Sequence, residues 1–135
     1  MWVQYYKIVL VLIIMNMVNV SRETVCTFIE IKGTGVIRHI VTWNFKEGIS
    51  DTENRQNALT VKTELENLKK VIKGIIELKV FTDALPSSNR DLVLNSLFDD
   101  EKALSEYQIH PEHKRVSAYV GTVLQNRACI DYYEE

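Results

Sequence analysis

From Ile37 to Phe45 the chain alternates, with Ile37, His39, Val41, Trp43 and Phe45 on one side and Arg38, Ile40, Thr42 and Asn44 on the other. Period two, carried by β-branched and aromatic residues, predicts a strand that ends before Gly48. The period then changes. Ala58, Val61, Leu65, Leu68 and Ile72 recur three and four apart, which is one apolar stripe along a helix. Ser50-Asp51-Thr52-Glu53 carries the Ser-x-x-Glu spacing of a capping box at its start, and Gly74 stands where a helix stop is expected. Ile75 to Thr82 predicts a second strand with Ile76, Leu78 and Val80 facing one way. Leu85-Pro86-Ser87-Ser88-Asn89 is rich in turn formers. Leu92 to Phe98 predicts a third strand, apolar on both faces apart from Asn95 and Ser96. Asp99 is the expected cap of a short helix through Tyr107. Pro111 opens another, with His113, Val116, Val120 and Val123 on one stripe, and Arg127 to Tyr132 predicts a final strand.

Strand, helix, strand, strand, helix, strand is the split βαβ order. The expected fold is α+β and ferredoxin-like: a four-stranded antiparallel sheet with its helices on one face. The other face also carries apolar residues, among them Ile40, Val93 and Leu97. One layer of helices cannot cover both faces, so a partner chain is expected there.

Residues 1–35 read differently, and the domain boundary is expected at Val36. Ile8 to Met15 is an apolar run of eight, broken by Asn16, with Lys7 before it. A bilayer-spanning helix takes about 20 such residues. The run has the length of a signal-peptide core, but Val18-Asn19-Val20 lacks the small residues of a cleavage site. Three readings compete: a weak signal or membrane anchor, an extra strand or helix, and a start site assigned too far upstream. The last is favoured. Valine can be encoded by GTG, an initiation codon, and Lys32-Gly33 would be encoded by purine-rich DNA just upstream of Val36. A codon other than GTG at Val36 would end this reading.

Length, composition and charge narrow the function classes. The 135 residues suit one domain, and a charged fraction of 25% is that of an ordinary globular protein. The net charge of −2, with both signs interspersed, offers no basic stripe for nucleic acid. Cys26 and Cys129 are far apart and form no CxxC, which argues against a disulfide framework or a zinc site and for a reducing compartment, the cytoplasm.

Candidate chemistry gathers in Tyr107-Gln108-Ile109-His110-Pro111-Glu112-His113. Proline at the first helical position puts His110 at the N-cap and lets His113 project from the first turn. Because His113 shares a stripe with Val116 and Val120, it should face the sheet. If the His39 face of the first strand meets the helices, two histidines and a tyrosine converge on one apolar cavity. An imidazole of lowered pKa beside a phenol can take an acidic proton from the carbon next to a carbonyl. The competing reading is a filled core in which Tyr107 packs, His110 caps and His39 and His113 are satisfied by hydrogen bonds. His110 and His113 are three apart, yet no further ligand has metal spacing beside them, since Glu112 should point away. No metal and no cofactor are expected.

Ile37-Arg38-His39-Ile40-Val41-Thr42-Trp43, Phe98, the run from Ala103 to His113 and the closing Ile130-Asp131-Tyr132 together resemble the Dabb family, the stress-responsive dimeric α/β-barrel domain. The resemblance spans about residues 37–132. It implies a homodimer whose two sheets close into a barrel with the helices outside. Most members have no assigned reaction. A branch similar to plant polyketide cyclases carries out an aldol condensation and aromatisation without a cofactor. By resemblance to that branch, Tyr107 and His113 are the catalytic pair, and His39 lines the pocket. His110 and Trp43 complete the expected pocket. Where that branch has a further pocket histidine on the third strand, this chain has Leu92. The resemblance thus implies a homodimeric small-molecule-binding or stress-response module of unassigned activity, whose ligand would be small and apolar or polyketide-like. The alternatives are a cofactor-free acid–base enzyme or a haem- or oxygenase-like member of the wider dimeric-barrel group. Membrane association is expected only if residues 1–35 act as an anchor. A ligand-sized cavity between sheet and helices would favour a small-molecule role. A core filled by Trp43, Phe45, Phe98 and Tyr119 would count against it.

Overall fold

The computed structural model describes residues 35–135. The expectations for the N-terminal segment, and Cys26 with it, fall almost wholly outside the described residues. Strand β1 (Ile37–Phe45) leads through a loop to helix α1 (Asp51–Asn67), which tightens into a 3₁₀ turn at Leu68–Lys70. Strands β2 (Ile75–Phe81) and β3 (Leu92–Phe98) follow, then helices α2 (Glu101–Ile109) and α3 (Pro111–Val123), and strand β4 (Leu124–Tyr133). All pairings are antiparallel, in the order β2-β3-β1-β4. This is the expected ferredoxin-like α+β arrangement.

Local chemistry explains the boundaries. The Ser50 hydroxyl accepts from the Glu53 N–H at 3.2 Å and caps α1 as the spacing predicted. Ala58, Val61, Leu65, Leu68 and Ile72 are all buried, so the stripe faces the sheet. Along β1, Ile37, His39, Val41 and Trp43 are buried while the intervening residues are partly open. Leu92, Leu94, Ser96 and Phe98 do the same along β3, and Phe98 is fully buried. These inner faces and the helices sandwich the core.

Two expectations are corrected. Asp100, not Asp99, caps α2, accepting from the Ala103 N–H at 2.7 Å. Asp99 instead donates its backbone N–H to the Gly74 carbonyl at 3.0 Å. Ile76 does not share a face with Leu78 and Val80. The register against β3 slips between Ile75 and Glu77, a one-residue bulge. Ile75 therefore joins Leu78 and Val80 in the core, and Ile76 is left 37% exposed.

The outer sheet face is mixed. Arg38 at its centre donates to Glu134 at 2.7 Å, to Asn95 at 2.9 Å and to Glu77 at 3.1 Å, tying three strands and the C-terminus together. Around it stand Ile40, Val93 and Leu97, partly open, and the exposed Phe81, Ile130 and Tyr132.

Two glycines have left-handed backbones, Gly48 at φ 79° and Gly74 at φ 81°. A Cβ on Gly48 would meet nothing within 4 Å, whereas one on Gly74 would lie 2.6 Å from the Ala103 Cβ. Gly48→Ala should therefore cost only the backbone penalty, about 1–2 kcal/mol. Gly74→Ala should cost roughly 1–3 kcal/mol more, because α2 must shift. Denaturant unfolding of the two variants gives the comparison, and equal losses would contradict the predicted clash.

Candidate functional site

The α2–α3 corner sets the site. His110 has extended backbone, with φ −61° and ψ 135°, and ends one helix while capping the next. Its N–H donates to the Tyr107 carbonyl at 3.2 Å, and its Nδ1 accepts from the Glu112 N–H at 3.2 Å. Pro111 then opens α3 with no N–H to satisfy. His110 is thus a capping residue and does not line the cleft, contrary to its expected pocket role.

One turn on, the His113 ring lies against the Tyr107 ring with centroids 4.2 Å apart. Its Nδ1 is 3.1 Å from the Gln108 carbonyl, which can only accept, so Nδ1 carries the proton. In the neutral ring Nε2 is then the lone-pair nitrogen, and the Ser117 hydroxyl donates to it at 3.1 Å. Burial lowers the His113 pKa. The bond to Gln108 acts against this, and the charges of His39, Arg127 and His110 act with it. At neutral pH the ring is an uncharged base held in one tautomer.

Tyr107 is fully buried, and its hydroxyl has no hydrogen-bond partner among the described residues. Burial pushes its pKa well above the usual phenol value, against a smaller opposing pull from Arg127. The group therefore stays a phenol and keeps a proton to offer.

His39 is 3% exposed on the central strand, its ring edge-on to Phe98 at 6.0 Å and to Tyr107 at 6.2 Å. Opposite it on β4 is Asp131, whose carboxylate takes a short hydrogen bond from His39 Nδ1–H. The neutral ring consequently has its lone pair on Nε2.

These groups meet at one cleft of about 230 Å³ between the sheet and α3, bordered by His39, Trp43, Tyr107, His113, Ser117 and Arg127 among others. A bulge in β4 shapes its mouth. The β1–β4 register shifts between Thr42 and Asn44, and Asn126 takes φ 54°, so that Gln125, Asn126 and Arg127 all reach the rim. A larger hollow of about 450 Å³ beside Phe45, Arg55 and Asp91 contains no histidine or tyrosine. The core is therefore not filled at the point where the candidate residues converge. His39, Trp43, Tyr107 and His113 come together as expected. Ser117, Arg127 and Asp131 are added to them. Ser117 had a readable signal, since it lies four residues after His113 on the same helix face. Arg127 and Asp131 depend on strand register across the molecule.

The family model for the stress responsive A/B barrel domain, Dabb, matches residues 37–134. A dimeric protein of unknown function with a ferredoxin-like fold from Bacteroides fragilis is 26% identical, with a TM-score of 0.69 over 74% of this chain and 97% of that one. A Dabb family protein with a ferredoxin-like fold from Mesorhizobium loti is 23% identical, with a TM-score of 0.57 over 75% and 98% of the two chains. A hydroxynitrile lyase from Passiflora edulis is 16% identical, with a TM-score of 0.64 over 76% and 95%. The last two likenesses concern the fold alone. No match was found among curated proteins.

The His113 arrangement has a consequence for stability. Its folded pKa lies below its ordinary value of 6.5, so in mildly acid solution the unfolded chain binds the proton first. Its contribution is fully present above pH 6.5, falls as pH drops through the lowered folded value, and levels off below it. Denaturant unfolding of wild type and His113→Gln between pH 7.5 and about 4.5 should show this segment in the wild type only. Parallel pH curves for the two proteins would contradict it.

Proposed function

This chain belongs to the Dabb family, and from that premise we propose a homodimer in which each protomer binds one small carbonyl compound in the cleft under α3 and performs acid–base chemistry on it. The observation that carries this reading is the buried Tyr107 hydroxyl, without a partner among the described residues, its ring tilted against a neutral His113. A buried polar group left unpaired costs about 1–3 kcal/mol. A ligand oxygen in the cleft would supply the missing partner.

The chemistry follows from the proton positions. Tyr107 O–H donates to the carbonyl oxygen, while His113 Nε2 gives up the Ser117 hydrogen bond and takes a proton from the adjacent carbon. The C–H electron pair moves into the enolate, whose negative oxygen is held by the phenol, and the imidazolium later returns its proton to a carbon or oxygen of the product. Arg127 at the rim favours the negative charge, and the bond to Asp131 holds the His39 ring in place on the inner wall. The same fold serves the hydroxynitrile lyase of Passiflora edulis, which fits this scaffold carrying reactions on small polar molecules. At about 230 Å³ the cleft is below the roughly 300–1,000 Å³ common for ligand sites, so the ligand is small and a porphyrin does not fit.

The homodimer rests on the outer sheet face. Ile40, Val93, Leu97, Ile130 and Tyr132 lie where no helix among the described residues covers them, and the Bacteroides fragilis relative is dimeric. Light scattering at micromolar concentration should give twice the monomer mass, and Leu97→Asp should shift it toward monomer. A wild-type monomer would remove the dimer from the proposal.

Tyr107→Phe separates function from packing. The hydroxyl bonds to none of the described residues, so its loss should leave stability unchanged or raise it by up to about 1 kcal/mol, while turnover or binding of small keto compounds falls about tenfold or more. Thermal unfolding and a panel of β-keto acids and α-hydroxynitriles provide the two readouts. Binding retained in both proteins without turnover would favour a module that only binds its ligand. Ligand handling that is indifferent to Tyr107→Phe would end the acid–base reading.

A further inference from the structure

Cys129 and Asp131 stand two apart on β4, so both side chains point to the inner face. The register sets Val41 opposite Cys129 and His39 opposite Asp131. One imidazole nitrogen, one sulfur and one carboxylate oxygen consequently lie within 4.8 Å of one another. Cys129 Sγ is 3.6 Å from both His39 Nδ1 and Asp131 Oδ1.

We propose that His39, Cys129 and Asp131 form a binding site for a borderline-soft divalent cation, Zn2+ above all, with a fourth coordination position left open. Zn2+ bonds of about 2.0–2.3 Å in a tetrahedron put neighbouring ligand atoms roughly 3.3–3.8 Å apart. Both sulfur edges of the triangle already have that length. The nitrogen and oxygen are hydrogen-bonded to each other, and a cation in the proton's place would take the same two atoms as ligands. The donor set decides the class of ion, because Mg2+ and Ca2+ take oxygen ligands, whereas one nitrogen, one sulfur and one oxygen suit Zn2+.

Preorganisation supports the site. His39 is on the strand bonded on both edges, and its ring is wedged against Phe98 and Tyr107. The ligand from the core is therefore rigid, and the two from the edge strand are reachable from solvent, since Cys129 and Asp131 are exposed. Binding requires the thiolate: the Cys129 S–H bond breaks, its proton leaves to solvent, and the His39 proton moves from Nδ1 to Nε2. Thiolate and carboxylate then balance the charge of the ion. Arg127 shares the inner face two residues before Cys129 and its charge opposes a cation, so an ion must displace this exposed side chain from the thiol. The open position would give the cleft a Lewis acid beside His39. The site itself does not depend on the acid–base reading, because neither Tyr107 nor His113 is a ligand.

Cobalt(II) reports the proposal directly, since thiolate ligation adds an intense near-ultraviolet charge-transfer band. Metal-free full-length protein titrated with Co2+ should show this band saturating at one ion per chain, and Zn2+ should abolish it. Cys129→Ala should remove the band, although Cys26 remains. Asp131→Asn should weaken binding at least about tenfold, and His110→Gln, away from the site, should leave it unchanged. Circular dichroism checks the fold of each variant. No charge-transfer band with wild type at millimolar Co2+, or an unchanged band in Cys129→Ala, would overturn the site. Ligand handling by Tyr107→Phe is measured without metal, so failure of one proposal is distinguishable from failure of the other.

Discussion

The pairing of β1 on both of its edges is the constraint on which the rest of the structure depends. β1 is the first strand of the described domain, yet it lies between β3 and β4. Its backbone is bonded on both sides, and side-chain period two then fixes which residues enter the core. His39 takes its place from that register, opposite Ser96 on one neighbour and Asp131 on the other. Ser96 is fully buried, and its hydroxyl donates to the His39 carbonyl at 2.7 Å, which anchors the strand where the imidazole leaves it. A slip by one residue would send His39, Val41 and Trp43 outward together, and with them the inner wall of the cleft.

A second constraint is the scarcity of apolar cover. Among the described residues, three helices cover the inner face over β1 to β3, but β4 lies largely open. Its ladder to β1 runs along its length, while its side-chain anchors on the helix side lie at its ends: Leu124 is buried at the start, and near the end the Tyr133 hydroxyl bonds the Glu101 carboxylate on α2. The strand that supplies Arg127, Cys129 and Asp131 is therefore the least covered part of the sheet. Reactive groups on an accessible edge beside a rigid core residue suit a site that must admit a ligand.

Much of this was legible in the sequence where a single local rule governs. Alternation from Ile37 to Trp43, the capping box at Ser50 and the proline after His110 each act over a few residues, and each element formed where its rule placed it. Illegible features arose where two local choices were equivalent or where the decision was made elsewhere. Asp99 and Asp100 are both competent caps, and the Gly74 carbonyl takes the N–H of Asp99, leaving Asp100 to close the helix. Ile75 and Ile76 are equally apolar, so sequence pattern could not identify the bulge that turns Ile76 outward. The partnership of His39 with Asp131 spans 92 residues and exists only through register. Cys129 looked isolated for the same reason: ligand-spacing rules work along the chain, and this triangle forms across two strands.

His110 joins α2 to α3 with a single non-helical residue, and both helices use it as a terminus. An α-helix turns about 100° per residue. Any residue gained or lost in that joint would swing the whole of α3 about its axis, taking His113 and Ser117 off the cleft and presenting polar side chains to the sheet. The loop between β2 and β3 is ten residues long and surface-exposed over most of its length, and it has no such gearing. Insertions and deletions should therefore accumulate there while the joint at His110 keeps its length, so that the family can vary in size at one end of the sheet and remain fixed in phase at the other.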